Sequence, residues 1–255
     1  MPVFSIISTC NLTATGVSCV VSLLLLLLRQ QDAGPPQGGP AYFMPDLPKT
    51  WVYVDGFNLY HGAVQRTPYK WLNLDALCRR LLPKNDITKI KYFTARVRGR
   101  TDPGKPRRQE LFLRALRTLP NCEIHFGHFM SHTCPMPLVN PQGPQRVAWV
   151  IKTEEKGSDV NLAVHLLNDA WRREYDVAVV VSNDSDLVEA IRIVRRQLHK
   201  TVGIVNPHSD DPKAHPSVEL HKEADFRLDL HAADLAAAQF PPTIPGTNIH
   251  KPTNW

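Results

Sequence analysis

Four aspartates stand where a catalytic site is readily built. Asp55 directly follows the apolar run 51–54, Asp184 and Asp186 follow the apolar run 177–181, and Asp159 opens a helical stretch between them. In an open parallel sheet, ligands sit in the crevice at the carboxyl ends of the strands, so polar residues just past apolar strands are the first candidates. Carboxylates drawn into one crevice from three separated segments would repel one another unless a cation occupied it. Hard oxygen donors suit Mg²⁺ or Mn²⁺ better than zinc, and such ions keep waters and bind substrate phosphates. The matching reaction is phosphodiester hydrolysis, where a metal lowers the pKa of an attacking water and stabilises charge on the departing oxygen. Each acid also has a plainer use: Asp186, before Leu187 and Val188, as an N-cap, and Asp159 as a complement to a helix dipole. The convergence of several on one sheet edge favours the site.

Other residues support this site without pointing to it independently. Asn58 suits a metal-bound water or a phosphate, while Ser182 and Asn183 are placed to orient the carboxylates. Lys156, beside Gly157 at a helix start, can receive a phosphate. Residues 79–117 hold thirteen Lys and Arg against Asp86, Asp102 and Glu110, a local net of +10 in a chain whose total is +6. Within that stretch Arg96, Arg98 and Arg100, followed by Lys105, Arg107 and Arg108, read as a rim that tracks a nucleic-acid backbone, or else as solvated loop charge. Tyr60, Tyr69 and Trp71 can stack on bases or pack in the core. His125, His128, His132 and Cys134 crowd together, but His125 and His128 on one strand would face opposite ways, a poor start for a zinc site.

The elements that must position these groups follow from periodicity. Residues 51–54, 87–97, 122–129, 177–181 and 201–205 read as strands, and 146–152 as extended. Helices are expected from about 58, over 74–82, 107–119, 158–173 and 187–198, and over 232–239. Residues 130–145, with four prolines, read as a long loop. Strands alternating with helices at this spacing imply βαβ units, hence a three-layer α/β/α sandwich around a mainly parallel sheet.

The ends are less regular. Residues 17–28 form an apolar run ending in six leucines, short of the roughly 20 needed to span a bilayer. No Lys or Arg precedes it and no clear cleavage site follows, so it is a poor signal peptide, and no stable membrane partner is expected unless the segment is real. Residues 1–43 are expected to be a low-complexity extension, disordered or a dubious targeting segment, and the Pro-rich 241–255 a flexible tail. Five scattered cysteines without a CxxC pair indicate neither a disulfide framework nor a zinc ribbon, and fit a reducing cytoplasm.

Three ordered segments carry a resemblance: Val52-Tyr53-Val54-Asp55-Gly56-Phe57-Asn58-Leu59-Tyr60, Glu155-Lys156-Gly157-Ser158-Asp159-Val160-Asn161-Leu162-Ala163, and Ser182-Asn183-Asp184-Ser185-Asp186. Together with the 202–207 strand and the 223–226 segment, they are similar to the bacterial NYN domain family, relatives of the PIN nucleases. The resemblance implies a domain over about 48–240 with a PIN-like fold, Mg²⁺ or Mn²⁺ dependence and cleavage of RNA. It also implies that Asp55, Asp159, Asp184 and Asp186 form the acidic metal site, with Asn58 as a polar companion. The expected function is a metal-dependent endoribonuclease; the alternative is an RNA-binding module with little turnover. A haloacid-dehalogenase-type phosphatase fits poorly, because Asp55-Gly56-Phe57 lacks that family's second aspartate. RNA is the expected partner, and a homodimer is left open.

Overall fold

The computed structural model describes residues 46–99, 102–141, 143–208, 210, 216–253 and 255. The extension 1–43 with its apolar run, and Arg100 of the basic rim, lie outside the described residues. Among the described residues no helix is long and apolar enough to cross a membrane.

The first strand shows how the layers arise. In β1 (Lys49–Asp55) every residue from Thr50 onward is buried. Val52 and Val54 enter one apolar cluster, Trp51 and Tyr53 another. Because successive side chains of a strand leave opposite faces, one strand feeding two clusters requires that both faces of the sheet be covered. The chain continues through α1 (Gly56–Leu59), a π-helical turn (Tyr60–Val64) and α2 (Leu74–Leu81) to β2 (Asp86–Thr94), α3 (Lys105–Leu116) and β3 (Cys122–Phe126). Next come the hairpin strands β4 (His128–Pro137) and β5 (Val147–Lys156), then α4 (Ser158–Trp171) and β6 (Val177–Val181). A 3-10 turn (Ser185–Leu187) leads into α5 (Val188–Arg196), followed by β7 (Thr201–Asn206), α6 (Val218–Glu223), β8 (Phe226–Asp229) and α7 (Ala232–Ala237).

Leu77 of α2, Leu113 and Leu116 of α3 and Leu235 of α7 share a cluster with Val54, Ile90, Val179 and Val205. On the other face Leu162 and Leu166 of α4, Ile191 and Val194 of α5 and Leu220 of α6 join Tyr53, Phe93, Val180 and Ile204. The fold is therefore the expected three-layer α/β/α sandwich. Its main sheet has the order β3-β2-β1-β6-β7-β8, with every neighbouring pair parallel. The chain winds outward from β1 to β3, then returns to β6 on the other side of β1. The connections leaving β1 and β6 consequently diverge, which opens a crevice at their carboxyl ends.

One charged pair is buried beneath α4. Lys91 of β2 reaches Asp169 at 2.6 Å, and the Tyr53 hydroxyl donates to the same carboxylate oxygen at 2.8 Å.

Three expectations about local structure are corrected. Much of the 130–145 segment, expected as a loop, is strand β4, paired antiparallel with β5 from His128↔Lys156 to Pro137↔Val147. In a two-stranded ribbon each strand keeps an open edge, and Pro135 and Pro137, two residues apart, present their nitrogens to the same edge without costing ladder bonds. Strand β8 and helix α6 were not anticipated, because four and six residues are too few to display a period. Finally, the Pro-rich segment after residue 240 is packed. Ile244 and Ile249 are buried, Trp255 lies 6.3 Å from Trp71 between ring centroids, and Trp71 donates through Nε1 to the Pro241 carbonyl at 2.9 Å. Trp71 is accordingly a core residue and not a platform for bases, and Tyr69 packs against the same cluster.

If this segment is part of the core, Ile249→Ala should destabilise the protein by about 2–4 kcal/mol, read as a shifted urea midpoint. An unchanged midpoint would mean that the segment contributes nothing to folding.

Candidate active site

Asp55 ends β1 and is only 4% exposed. Its Oδ1 accepts the backbone N–H groups of Phe57 (3.1 Å) and Asn58 (2.9 Å), so the carboxylate caps α1. Its Oδ2 accepts the hydroxyl of Ser182 at 3.1 Å, and the oxygen of that hydroxyl in turn accepts the N–H of Asp184 at 3.1 Å. The register explains the meeting: Val54 pairs with Val181, so the residues that follow them emerge side by side. One buried hydroxyl thus ties the first acidic segment to the third.

Asp184 Oδ1 accepts the N–H of Asp186 at 3.0 Å and so caps the 3-10 turn, the capping role expected of Asp186. Asp186 itself is exposed, in the first turn after the Asp184 cap. Asp159 lies in the first turn of α4, entered through Gly157 at φ 95°, a left-handed conformation that side-chain-bearing residues adopt at a cost. The Ser158 hydroxyl stands 2.7 Å from Glu155 Oε2 and 3.3 Å from Asp159 Oδ1.

The acids share one electrostatic field. Burial pushes the Asp55 pKa up to about 6, with the charges of Asp159 and Asp184 adding to the rise and hydrogen bonds from Asn58 and Ser182 opposing it. Burial also raises Asp159, helped by the charges of Asp184, Glu155 and Asp186. Among the described residues, no three His, Cys, Asp or Glu side chains lie close enough together to enclose a metal ion unaided. The all-oxygen donor set and the buried, capped Asp55 fit a hard divalent cation; an imidazole-rich or thiolate-rich set would not.

The remaining candidates divide. Asn58 Oδ1 accepts the Asn183 N–H at 3.1 Å and lies 3.2 Å from His208 Nε2, so this oxygen braces two loops. Asn183 turns its own Oδ1 to the N–H of Ser217 at 2.8 Å, holding the start of α6. Lys156 is exposed at the end of β5, 3.4 Å from Glu154. Arg96 pairs with Glu110 at 2.6 Å. Arg98 fastens the hairpin by donating to Ser131 Oγ (3.3 Å) and the Phe129 carbonyl (3.2 Å). His125 stacks on Phe93 at 5.0 Å and lies 4.1 Å from His165, inside a packed cluster.

From Glu155 a groove of about 420 Å³ runs between Phe129, Phe57, His61, Arg98 and Lys105. It shares Phe57, His61 and Lys105 with a cavity of about 310 Å³ beyond. Neither Glu155 nor His208 was singled out from the sequence. Glu155 could have been, since it lies four residues before Asp159 near a strand end; His208 stands two residues past the end of β7.

The NYN domain model matches residues 49–229 of the chain. The chain belongs to the NYN domain family. It is 31% identical over 238 aligned residues to the 6-hydroxy-3-succinoylpyridine 3-monooxygenase HspA of Pseudomonas putida (strain DSM 28022 / S16), covering 81% of this chain and 75% of that protein. It also resembles the crystal structure of VPA0982, a protein of unknown function from Vibrio parahaemolyticus RIMD 2210633. That match has a TM-score of 0.48 and 17% identity, over 74% of this chain and 96% of the other. For this NYN domain, family and architecture agree on a PIN-like, nuclease-type α/β fold.

The raised Asp55 pKa fixes a sign. In metal-free protein the folded state holds this proton more tightly than the unfolded chain, whose carboxyl titrates near 3.8. Stability should therefore fall as pH rises from about 4 to 6 and stay lower above that. Asp55→Asn should raise the unfolding free energy in EDTA by about 3 kcal/mol at pH 8 and by almost nothing near pH 4, as measured by denaturant titration at both pH values.

Proposed function

We propose that this NYN domain is a metal-dependent endoribonuclease that hydrolyses RNA phosphodiester bonds at the crevice between β1 and β6. The observation that carries the reading is the buried Asp55, joined through Ser182 to the Asp184 loop and coupled in charge to Asp159. Asp55, Asp159, Asp184 and Asp186 would hold Mg²⁺ or Mn²⁺. When bound, such an ion supplies Lewis acidity toward a phosphate, activation of water and neutralisation of charge on the departing oxygen.

The chain's own residues do the positioning. The N–H groups of Phe57 and Asn58 and the Ser182 hydroxyl fix both oxygens of Asp55, so little reorganisation is required when substrate arrives. Arg98 and Lys105 along the groove supply positive charge for the phosphates on either side of the cleaved one. RNA is the partner this reading requires, and the cytoplasm is the compartment we assign to it.

A second reading has one observation in its favour. The relative HspA is named for oxidising a hydroxypyridine, and the 310 Å³ cavity beside Asp55, walled by Tyr60, Tyr92 and Phe112, has the size and aromatic lining for such a ring. It ranks second because it gives the four carboxylates no work.

Incubation of the protein with labelled single-stranded and structured RNAs, with and without Mg²⁺ or Mn²⁺, decides between these readings. Asp184→Asn should reduce metal-dependent cleavage to background, and Ser182→Ala should lower it about 10–100-fold while leaving the fold intact by circular dichroism. Undiminished cleavage by a folded Asp184→Asn protein would refute the ribonuclease assignment. Salt-sensitive RNA binding without product would support an RNA-binding module. Dioxygen uptake dependent on a hydroxypyridine and a reductant would support the oxygenase reading.

A further inference from the structure

The cavity beyond the groove is a built pocket with chemistry of its own. Its walls are aromatic: Tyr92 and Phe112 meet edge to face at 6.2 Å, and Phe112 lies 6.0 Å from Trp255. Tyr60 completes the lining from the π-helical turn that follows the Asp55 cap. At 310 Å³ it sits at the low end for small-ligand pockets, room for one nucleoside-sized group and not for a length of strand. Its polar groups are mostly spoken for. Arg108 and Asp102 pair with each other, and the Gln109 amide is committed to the backbone of Ala95 and Val97. Lys70 donates to the Thr67 carbonyl. Among the described residues lining the cavity, neither Lys70 nor Lys105 makes an ion pair, and Lys105 makes no side-chain hydrogen bond either, which leaves it the cation most open to a ligand.

The position ties the pocket to the acids. Gly56, next to Asp55, lines it, and a Cβ there would fall 2.6 Å from the Tyr92 hydroxyl, so the Tyr92 ring closes directly onto the backbone that carries Asp55. Lys105 stands where pocket and groove join, since it lines both.

The geometry points to a mononucleotide subsite: a planar heteroaromatic base stacked among Tyr60, Tyr92, Phe112 and Trp255, with its phosphate on Lys105, for the nucleotide flanking the cleaved bond. Base-on-aromatic stacking tolerates different bases, while a charge-assisted phosphate contact orients the nucleotide. The ligand class rests on the ribonuclease reading, but the test reads binding alone. Failure of the subsite leaves the Asp184→Asn cleavage assay untouched, and the converse also holds.

The experiment is calorimetric titration of the full chain in EDTA with the four 5′-mononucleotides, their matched nucleosides, and orotate as a free heteroaromatic acid. At least one mononucleotide should bind. The exposed substitution Lys105→Gln should weaken that mononucleotide about tenfold while leaving its nucleoside unchanged. Tyr60→Ala should weaken both, with Tyr60→Phe restoring the nucleoside. Absence of binding by every mononucleotide at millimolar concentration would overturn the proposal, as would an affinity indifferent to Lys105→Gln. Orotate binding more tightly than every nucleotide would overturn it in favour of a small-molecule pocket.

Discussion

Two apolar strands that leave the sheet next to each other impose the central constraint on this molecule. β1 and β6 are hydrogen-bonded neighbours although more than a hundred residues separate them, and each is followed at once by polar sequence. The strand interiors are buried on both faces, so neither can slide by one residue without turning Val52 and Val54, or Trp51 and Tyr53, into the wrong cluster. Once the register is held, Asp55 and Ser182 must meet. The crevice, the capped helix α1 and the Asp184 turn follow from that meeting.

Parts of this arrangement were legible from the chain. Residues 51–54 and 177–181 are short, β-branched or aromatic runs ended by Asp-Gly and Ser-Asn-Asp, so both the strands and the acids past their ends could be read without coordinates. What could not be read was the division of labour among neighbours. Capping geometry decided that Asp184, not Asp186, holds the 3-10 turn, and that Asn58 and Asn183 brace loops. Such roles depend on backbone directions fixed by tertiary packing, to which residue type is indifferent. Composition misled in two places. Proline suggested loop in β4 and flexibility after residue 240, yet β4 needs only one ladder edge and the final segment is held by Ile244, Ile249 and Trp255.

The docked terminal segment also matters beyond stability. Trp255 touches both Trp71 and Phe112, so the same packing that buries Ile244 and Ile249 builds one wall of the cavity beside the acids. The basic segment contributes in a similarly indirect way. Arg96 spends its charge on Glu110, whereas Arg98 hydrogen-bonds neutral oxygens of the hairpin and keeps its charge at the groove's bank. Lys105, at the first position of α3, keeps its charge for the groove and cavity. A cluster of cations in sequence therefore divides, in space, between charges held by acids and others, Arg98 and Lys105 among them, that line the groove.

A comparison of the two buried aspartates separates architecture from chemistry. Asp169 is 5% exposed and Asp55 4%, so their dehydration is equivalent. Asp169 is compensated by Lys91 at 2.6 Å and the Tyr53 hydroxyl at 2.8 Å, the usual settlement for a charge inside a protein. Asp55 receives two backbone N–H groups and one hydroxyl, and the charges that weigh on it are those of other acids, Asp159 and Asp184. A structural carboxylate gains nothing from such neighbours. Among the described residues, the same fold that supplies a lysine beneath α4 pairs none with the carboxylate at the end of β1, and this asymmetry, more than the number of acids, distinguishes the crevice from the buried pair.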